Sequence, residues 1–133
     1  MDIIAHFKGA RNVMSVPSGL VLFHEGDPAK DMYVLLQGSA QVSVGGEVVE
    51  VAGPGALLGE MALVGVAVRS ATVITRSDCR FIPVDRLTFD LLVRESPEFA
   101  RYVMTVMADR LRRMNERLRE AIGELAVHGR RPR

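Results

Sequence analysis

Cysteine occurs only once, at Cys79, so the chain has neither a disulfide framework nor a multi-cysteine metal site, and a reducing compartment suits it. Histidine is scarcely richer. His6, His24 and His128 lie far apart, no His-x-His occurs, and two of the three fall outside the glycine-punctuated middle of the chain. That speaks against a cupin-type metalloenzyme, which needs clustered histidines around one ion. A surplus of either charge is missing as well: the formal net charge is +1, and nothing global argues for nucleic acid or for an acidic partner. No window approaches the ~18 uninterrupted apolar residues of a membrane span. The opening MDIIAHFKGA carries Asp2 and no long apolar run, unlike a signal peptide. Internal repeats and linkers are absent too. These absences predict a soluble, cytoplasmic, non-enzymatic protein without metal or cofactor, a single domain over residues 1–133. Met1 at the head of this tidy start points to a complete small protein.

What is present changes texture along the chain. Ile3, Ile4 and Phe7 share a face at helical spacing, so residues 2–10 are expected to form a short helix that Gly9 ends. From Ser15 to Pro83 glycine and proline punctuate short apolar runs, the pattern of an all-β sandwich or barrel. Strands are expected over 20–23, 31–36, 40–44, 47–51, 71–75 and 79–84, with Gly45-Gly46 making a tight hairpin. Helical periodicity returns after Pro83. Residues 85–93 suit a short helix with Leu87, Leu91 and Leu92 inward. Ser96 and Pro97 are a helix N-cap and first turn, opening a helix that should run to about Val127 and stop at Gly129. The fold class that follows is mainly β with flanking helices: an antiparallel, jelly-roll-like β-roll over about 15–84, a short N-terminal helix, and C-terminal helices over about 85–127. The basic tail 128–133 holds three arginines and reads as solubilising sequence.

The long helix carries a second pattern. Met104, Met107, Leu111, Met114, Leu118, Ala121 and Leu125 are spaced alternately three and four, an a/d heptad. At about thirty residues, roughly 45 Å, the helix outreaches a small barrel, and self-association is the favoured role for the projecting part.

The segment Leu57–Val73 is unusual in its charges. Gly59-Glu60 open it, Arg69 stands near its end, and the eight residues Met61–Val68 between them carry none. Buried charges are tolerated when paired or when holding a ligand. The bland alternative is that Glu60 and Arg69 pair and merely shape a loop. With its two halves, Gly59-Glu60-Met61-Ala62-Leu63 and Arg69-Ser70-Ala71-Thr72-Val73, the segment resembles the phosphate-binding cassette of the cyclic nucleotide-binding domain family. Regulatory subunits of protein kinase A, catabolite activator proteins and cyclic-nucleotide-gated channels belong to that family. Phe23-His24-Glu25-Gly26-Asp27 and Met32-Tyr33-Val34 look like its first strands, and the resemblance extends from Pro17 to about Arg113.

A cyclic phosphate diester bears one negative charge and two free oxygens, which the planar guanidinium of Arg69 can meet in a fork. Backbone N–H groups over Gly59–Ala62 would add donors to the anion, where small side chains permit approach. Glu60 would accept from a ribose 2′-hydroxyl, as the resemblance also implies, and Ser70 would donate to a phosphate oxygen or a base. The ligand-binding set is therefore Gly59, Glu60, Met61, Ala62, Arg69, Ser70 and Ala71. The resemblance further implies that the C-terminal helix acts as a lid, with Arg110, Leu111 and Met114 placed to cover the base. Arg110 would stack on the purine face. Val49 and Leu57 are candidates for a β-wall beneath it.

The expected function is a cAMP or cGMP sensor whose terminal helix responds to the ligand and controls homodimerisation or an effector protein. Alternatives are a regulatory fragment or degenerate module serving as a structural domain, and a binder of a cyclic dinucleotide. Only six residues follow Val127, so the helix-turn-helix that some family members carry has no counterpart in this chain. No DNA or membrane partner is expected.

Overall fold

The computed structural model describes residues 1–65 and 67–128, excepting the side chains of 127 and 128. The basic tail and the helix stop expected at Gly129 lie outside the described residues. Element order is α1 Ile3–His6, β1 Met14–Val16, β2 Val21–Phe23, β3 Met32–Gln37, β4 Ala40–Val44, β5 Glu47–Ala52, β6 Leu57–Leu58, β7 Thr72–Thr75, β8 Cys79–Val84, α2 Arg86–Glu95 and α3 Pro97–His128, with a 3-10 turn at Glu60–Leu63 between β6 and β7. The strands form two four-stranded antiparallel sheets, ordered β1-β8-β3-β6 and β2-β7-β4-β5. This is the antiparallel β-roll with a short leading and a long trailing helix.

Strand alternation turns one face of each sheet toward the other, and the first sheet buries its second face as well, under the helices. Leu35, Leu58, Val73 and Phe81 fill the space between the sheets. A second cluster, with Met32, Val34, Ile82 and Val84 against Phe89, Phe99 and Val103, seats the helices on the first sheet. The β4–β5 hairpin turns at Gly45 and Gly46, both at positive φ (58° and 82°), as a two-residue turn of matching twist requires. Tyr102 of α3 donates its hydroxyl to the carbonyl of Gly55 (2.6 Å), fixing the helix to the β5–β6 turn.

Several expectations need correction. β1 and β6, three and two residues long, were not anticipated, because alternation cannot register in so few positions. In α2 the inward residues are Phe89 and Leu92; Leu87 and Leu91 are 72% and 41% exposed. The Phe89 ring packs edge-on to Phe99, centroids 5.9 Å apart, and that larger apolar contact sets the helix phase. α1 is shorter than the expected 2–10. Asp2 caps it by accepting from the N–H of Ala5, and only Ile3 of its body is buried, Ile4 being exposed.

Candidate functional site

Gly59 stands at φ 74°, a left-handed turn between β6 and the 3-10 turn. A Cβ there would collide with the guanidinium of Arg69, so glycine is demanded twice, by conformation and by space. Arg69 lies at the far limb of the same segment. Its backbone is pinned to the β2–β3 loop by Arg69 N–H to Asp27 O and Gly26 N–H to Arg69 O, both 2.8 Å. This pinning brings the two ends of the Leu57–Val73 segment together.

The Arg69 side chain is only 7% exposed. Its guanidinium carbon sits 4.2 Å from the Phe23 ring centroid and 5.7 Å from that of Tyr33, a cation on two aromatic faces. One N–H donates to Asp31 O at 2.7 Å, while Nε has no partner among the described residues. Glu60, 6% exposed, does not answer it. The Glu60 carboxylate instead meets Arg110 of α3, 2.7 Å away. The loop-shaping pair of Glu60 and Arg69 is therefore not what the structure contains.

Arg110 forms the hub of the lid side. Its Nε and Nη2 donate to the two oxygens of Glu50 at 3.0 Å each, Nη1 meets Glu60, and Nη2 also donates to the carbonyl of Leu57. Arg113 adds a 3.3 Å contact to Glu50, and Arg117 reaches the carbonyls of Val48 and Val49 on the open edge of β5. Burial opposes the charge of Arg110, yet the bonds to Glu50 and the field of Glu60 outweigh it and hold the guanidinium above its ordinary range. Burial likewise pushes the Glu50 carboxyl up, but Arg110 and Arg113 prevail and keep it below the usual value. The hydrogen-bonding edge of Arg110 is thus engaged by two carboxylates and a carbonyl, while the stacking expected of this residue would use the face of the guanidinium.

Between these walls lies a mainly apolar cavity of about 450 Å³. Gly59, Glu60, Met61, Ala62, Arg69, Ser70 and Ala71 all line it, as do Val49, Arg110, Leu111 and Met114. Leu57 does not. It is fully buried in the core under the helices and contributes only its carbonyl, while Leu58 faces the cavity. Neighbouring strand residues point to opposite faces, and a two-residue strand offers no alternation from which to read the phase.

Glu50, Phe23, Arg113 and Arg117 also line the cavity and were not anticipated. For Glu50 the cause is a β-bulge. Val42 pairs with Glu50 and Ser43 with Val48, so β4 advances one residue while β5 advances two. The extra residue, Val49, lets consecutive side chains, Val49 and Glu50, both reach the cavity. Strict alternation would have sent one of them to the opposite face.

Among the described residues no cluster of His, Cys, Asp and Glu could hold a metal, and no helix is long and apolar enough to cross a membrane.

Known proteins share this architecture. The cyclic nucleotide-gated potassium channel mll3241 of Mesorhizobium japonicum is 33% identical over 74% of this chain and 27% of its own length. A CRP-like cAMP-activated global transcriptional regulator of Mycobacterium tuberculosis is 27% identical over 80% of this chain and 50% of its own. The solved catabolite activator protein of Thermus thermophilus superposes with a TM-score of 0.73 at 25% identity, covering 86% of this chain and 62% of that one. This chain thus spans about a quarter and a half of the two curated relatives. The family described as "Cyclic nucleotide-binding domain" matches residues 13–96, well over half of the sequence, and the chain belongs to that family.

Proposed function

We propose that this chain is a sensor module that holds a purine cyclic nucleotide, cAMP or cGMP, in the cavity between the cassette and α3. The observation that carries the reading is Arg69: a buried guanidinium whose Nε–H lacks an acceptor among the described residues, beside a nucleotide-sized cavity. A cyclic phosphate supplies both the missing acceptor and the missing countercharge. The backbone of Gly59–Ala62 and the hydroxyl of Ser70 take the remaining phosphate oxygen, with Met61 and Ala71 shaping the cradle. Glu60 accepts from the ribose 2′-hydroxyl, which requires it to share or release Arg110. Binding energy can therefore reach α3 through Glu60, and the helix moves only as far as the ligand's differential affinity for its two positions allows.

Leu111 and Met114 belong at once to the cavity lining and to the a/d stripe, whose Met104, Leu111, Met114, Leu118 and Leu125 are 53–72% exposed. On this basis the module pairs with a second copy along α3, and nucleotide occupancy governs that pairing. Light scattering with and without ligand checks it; a monomer in both conditions removes it.

Calorimetry with cAMP, cGMP and a cyclic dinucleotide on the wild type and on Arg69→Ala tests the site. The expected result is binding of a cyclic mononucleotide that weakens about a hundredfold in the variant, near 2.7 kcal/mol. Equal affinity in both proteins would sink the assignment.

A further inference from the structure

Two carboxylates share the Arg110 guanidinium, and they share it unevenly. Glu50 takes the fork, Nε on one oxygen and Nη2 on the other, both at 3.0 Å. The Leu57 carbonyl accepts from Nη2 as well. Glu60 is left with Nη1, which meets a single carboxylate oxygen, Oε1, at 2.7 Å. Both donor pairs of the guanidinium are thus already engaged at Nη2, and a two-bond grip on Glu60 is shut out.

Glu60 therefore keeps an oxygen for other work. Its Oε2 has no hydrogen-bond partner among the described residues, yet the one fully enclosed side-chain polar atom without a partner there is Arg69 Nε. Oε2 is thus in reach of open space, and the open space that Glu60 lines is the cavity. A ribose 2′-hydroxyl needs such an acceptor: an ionised carboxylate only accepts, with about two lone-pair sites on each oxygen.

Glu50 is what preserves this division. A guanidinium so far removed from water requires a carboxylate partner, and Glu50 satisfies the fork from β5, away from the cassette turn. Without Glu50, Glu60 is the remaining carboxylate in contact with Arg110. The freed Nε and Nη2 donors then turn to its second oxygen, and the sugar must compete with a closed two-bond pair. We propose that Glu50 is a positioning residue for the sugar. By holding the Arg110 fork it keeps Oε2 of Glu60 available, and so gives the module its discrimination of ribose from 2′-deoxyribose. The proposal rests on the cyclic nucleotide reading of the same cavity.

The test is calorimetric titration of the wild type, Glu50→Gln, Arg110→Ala and the double variant with cAMP, cGMP and their 2′-deoxy forms. The readout is the ratio of ribose to deoxyribose affinity; partial unfolding of a variant scales both affinities alike and leaves the ratio unchanged. The wild type should favour ribose by about tenfold or more, the size of one hydrogen bond to a charged group. In Glu50→Gln the ratio should fall toward one. Adding Arg110→Ala to Glu50→Gln should restore it, because no guanidinium is then left to close on Glu60. If Glu50 served only to hold α3, its loss would lower both affinities together, and loss of Arg110 as well would restore nothing. A wild type indifferent to the 2′-hydroxyl, a preference that survives Glu50→Gln, or one that the double variant does not regain overturns the role of Glu50 and leaves the cyclic nucleotide reading standing. Should Glu50→Gln yield no folded protein, Arg110→Ala alone decides: wild-type discrimination there supports the proposal and its loss overturns it. Failure of the wild type to bind any of the four nucleotides overturns both readings.

Discussion

Two arginines face the same cavity under opposite conditions. Arg110, on the lid, has its donors matched to Glu50, Glu60 and a backbone carbonyl. Arg69, on the cassette, is the more deeply buried, yet among the described residues it meets one carbonyl, two aromatic faces and no carboxylate. Removing a cation from water is unfavourable unless partners compensate, and removing one member of a buried pair strands the other. Arg110 is compensated within the protein. Arg69 is undercompensated, and the deficit is what a phosphate can fill. Burial by itself therefore does not separate a structural arginine from a binding one; the completeness of its partners does.

Arg110→Ala should make the largest difference to stability. It leaves Glu50 and Glu60 facing each other's charge in a partly dry cavity and frees the middle of α3. Breaking a fully buried pair costs about 3–5 kcal/mol. The 18% exposure of Arg110 reduces this to about 2–4 kcal/mol, visible in urea unfolding. A loss under about 1 kcal/mol would mean that the lid is held by its apolar contacts alone. Arg69→Ala should behave oppositely. Its loss removes an unpaired buried charge as well as a packed side chain, and these effects offset, so unfolding should shift by no more than about 1 kcal/mol while nucleotide affinity collapses. If Arg69→Ala unfolds the domain as readily as Arg110→Ala does, the contrast between the two arginines is wrong.

The same contrast explains what could be read before any coordinates. The cassette is local. Gly59, Glu60, Arg69, Ser70 and Ala71 sit within thirteen residues, so their charges, small side chains and spacing are visible along one line of sequence. Ala40–Val44, whose alternation is clear, and Cys79–Val84 both coincide with the expected strands to the residue. The lid side is non-local. Arg110 meets Glu50 across sixty positions, and Glu50 reaches the cavity only because a bulge adds Val49 to β5. No periodicity announces a one-residue irregularity. Leu57 and the α2 leucines failed for a related reason: in a two-residue strand, or a helix with apolar residues on two faces, the burying face is chosen by tertiary contacts such as Phe89 on Phe99.

The smallest effect is also the most discriminating, because it asks whether the lid clamp is electrostatic. Glu50 has its proton affinity lowered in the folded state, burial being outweighed by Arg110 and Arg113. A carboxylate of that kind contributes stability fully above its unfolded value of 4.5 and loses it as the pH falls through the folded one. In Arg110→Ala the chief lowering influence is gone, and burial then favours the protonated Glu50, so acid no longer takes away a contribution from this residue. Carboxylates remote from α3, Asp85 among them, titrate alike in both proteins and cancel in the difference. The stability gap between wild type and Arg110→Ala should therefore be widest near neutral pH and narrow steadily below pH 4.5, as measured by urea midpoints from pH 7 to pH 3. A gap that stays constant across that range would assign the clamp to packing of the arginine stem against the cavity wall.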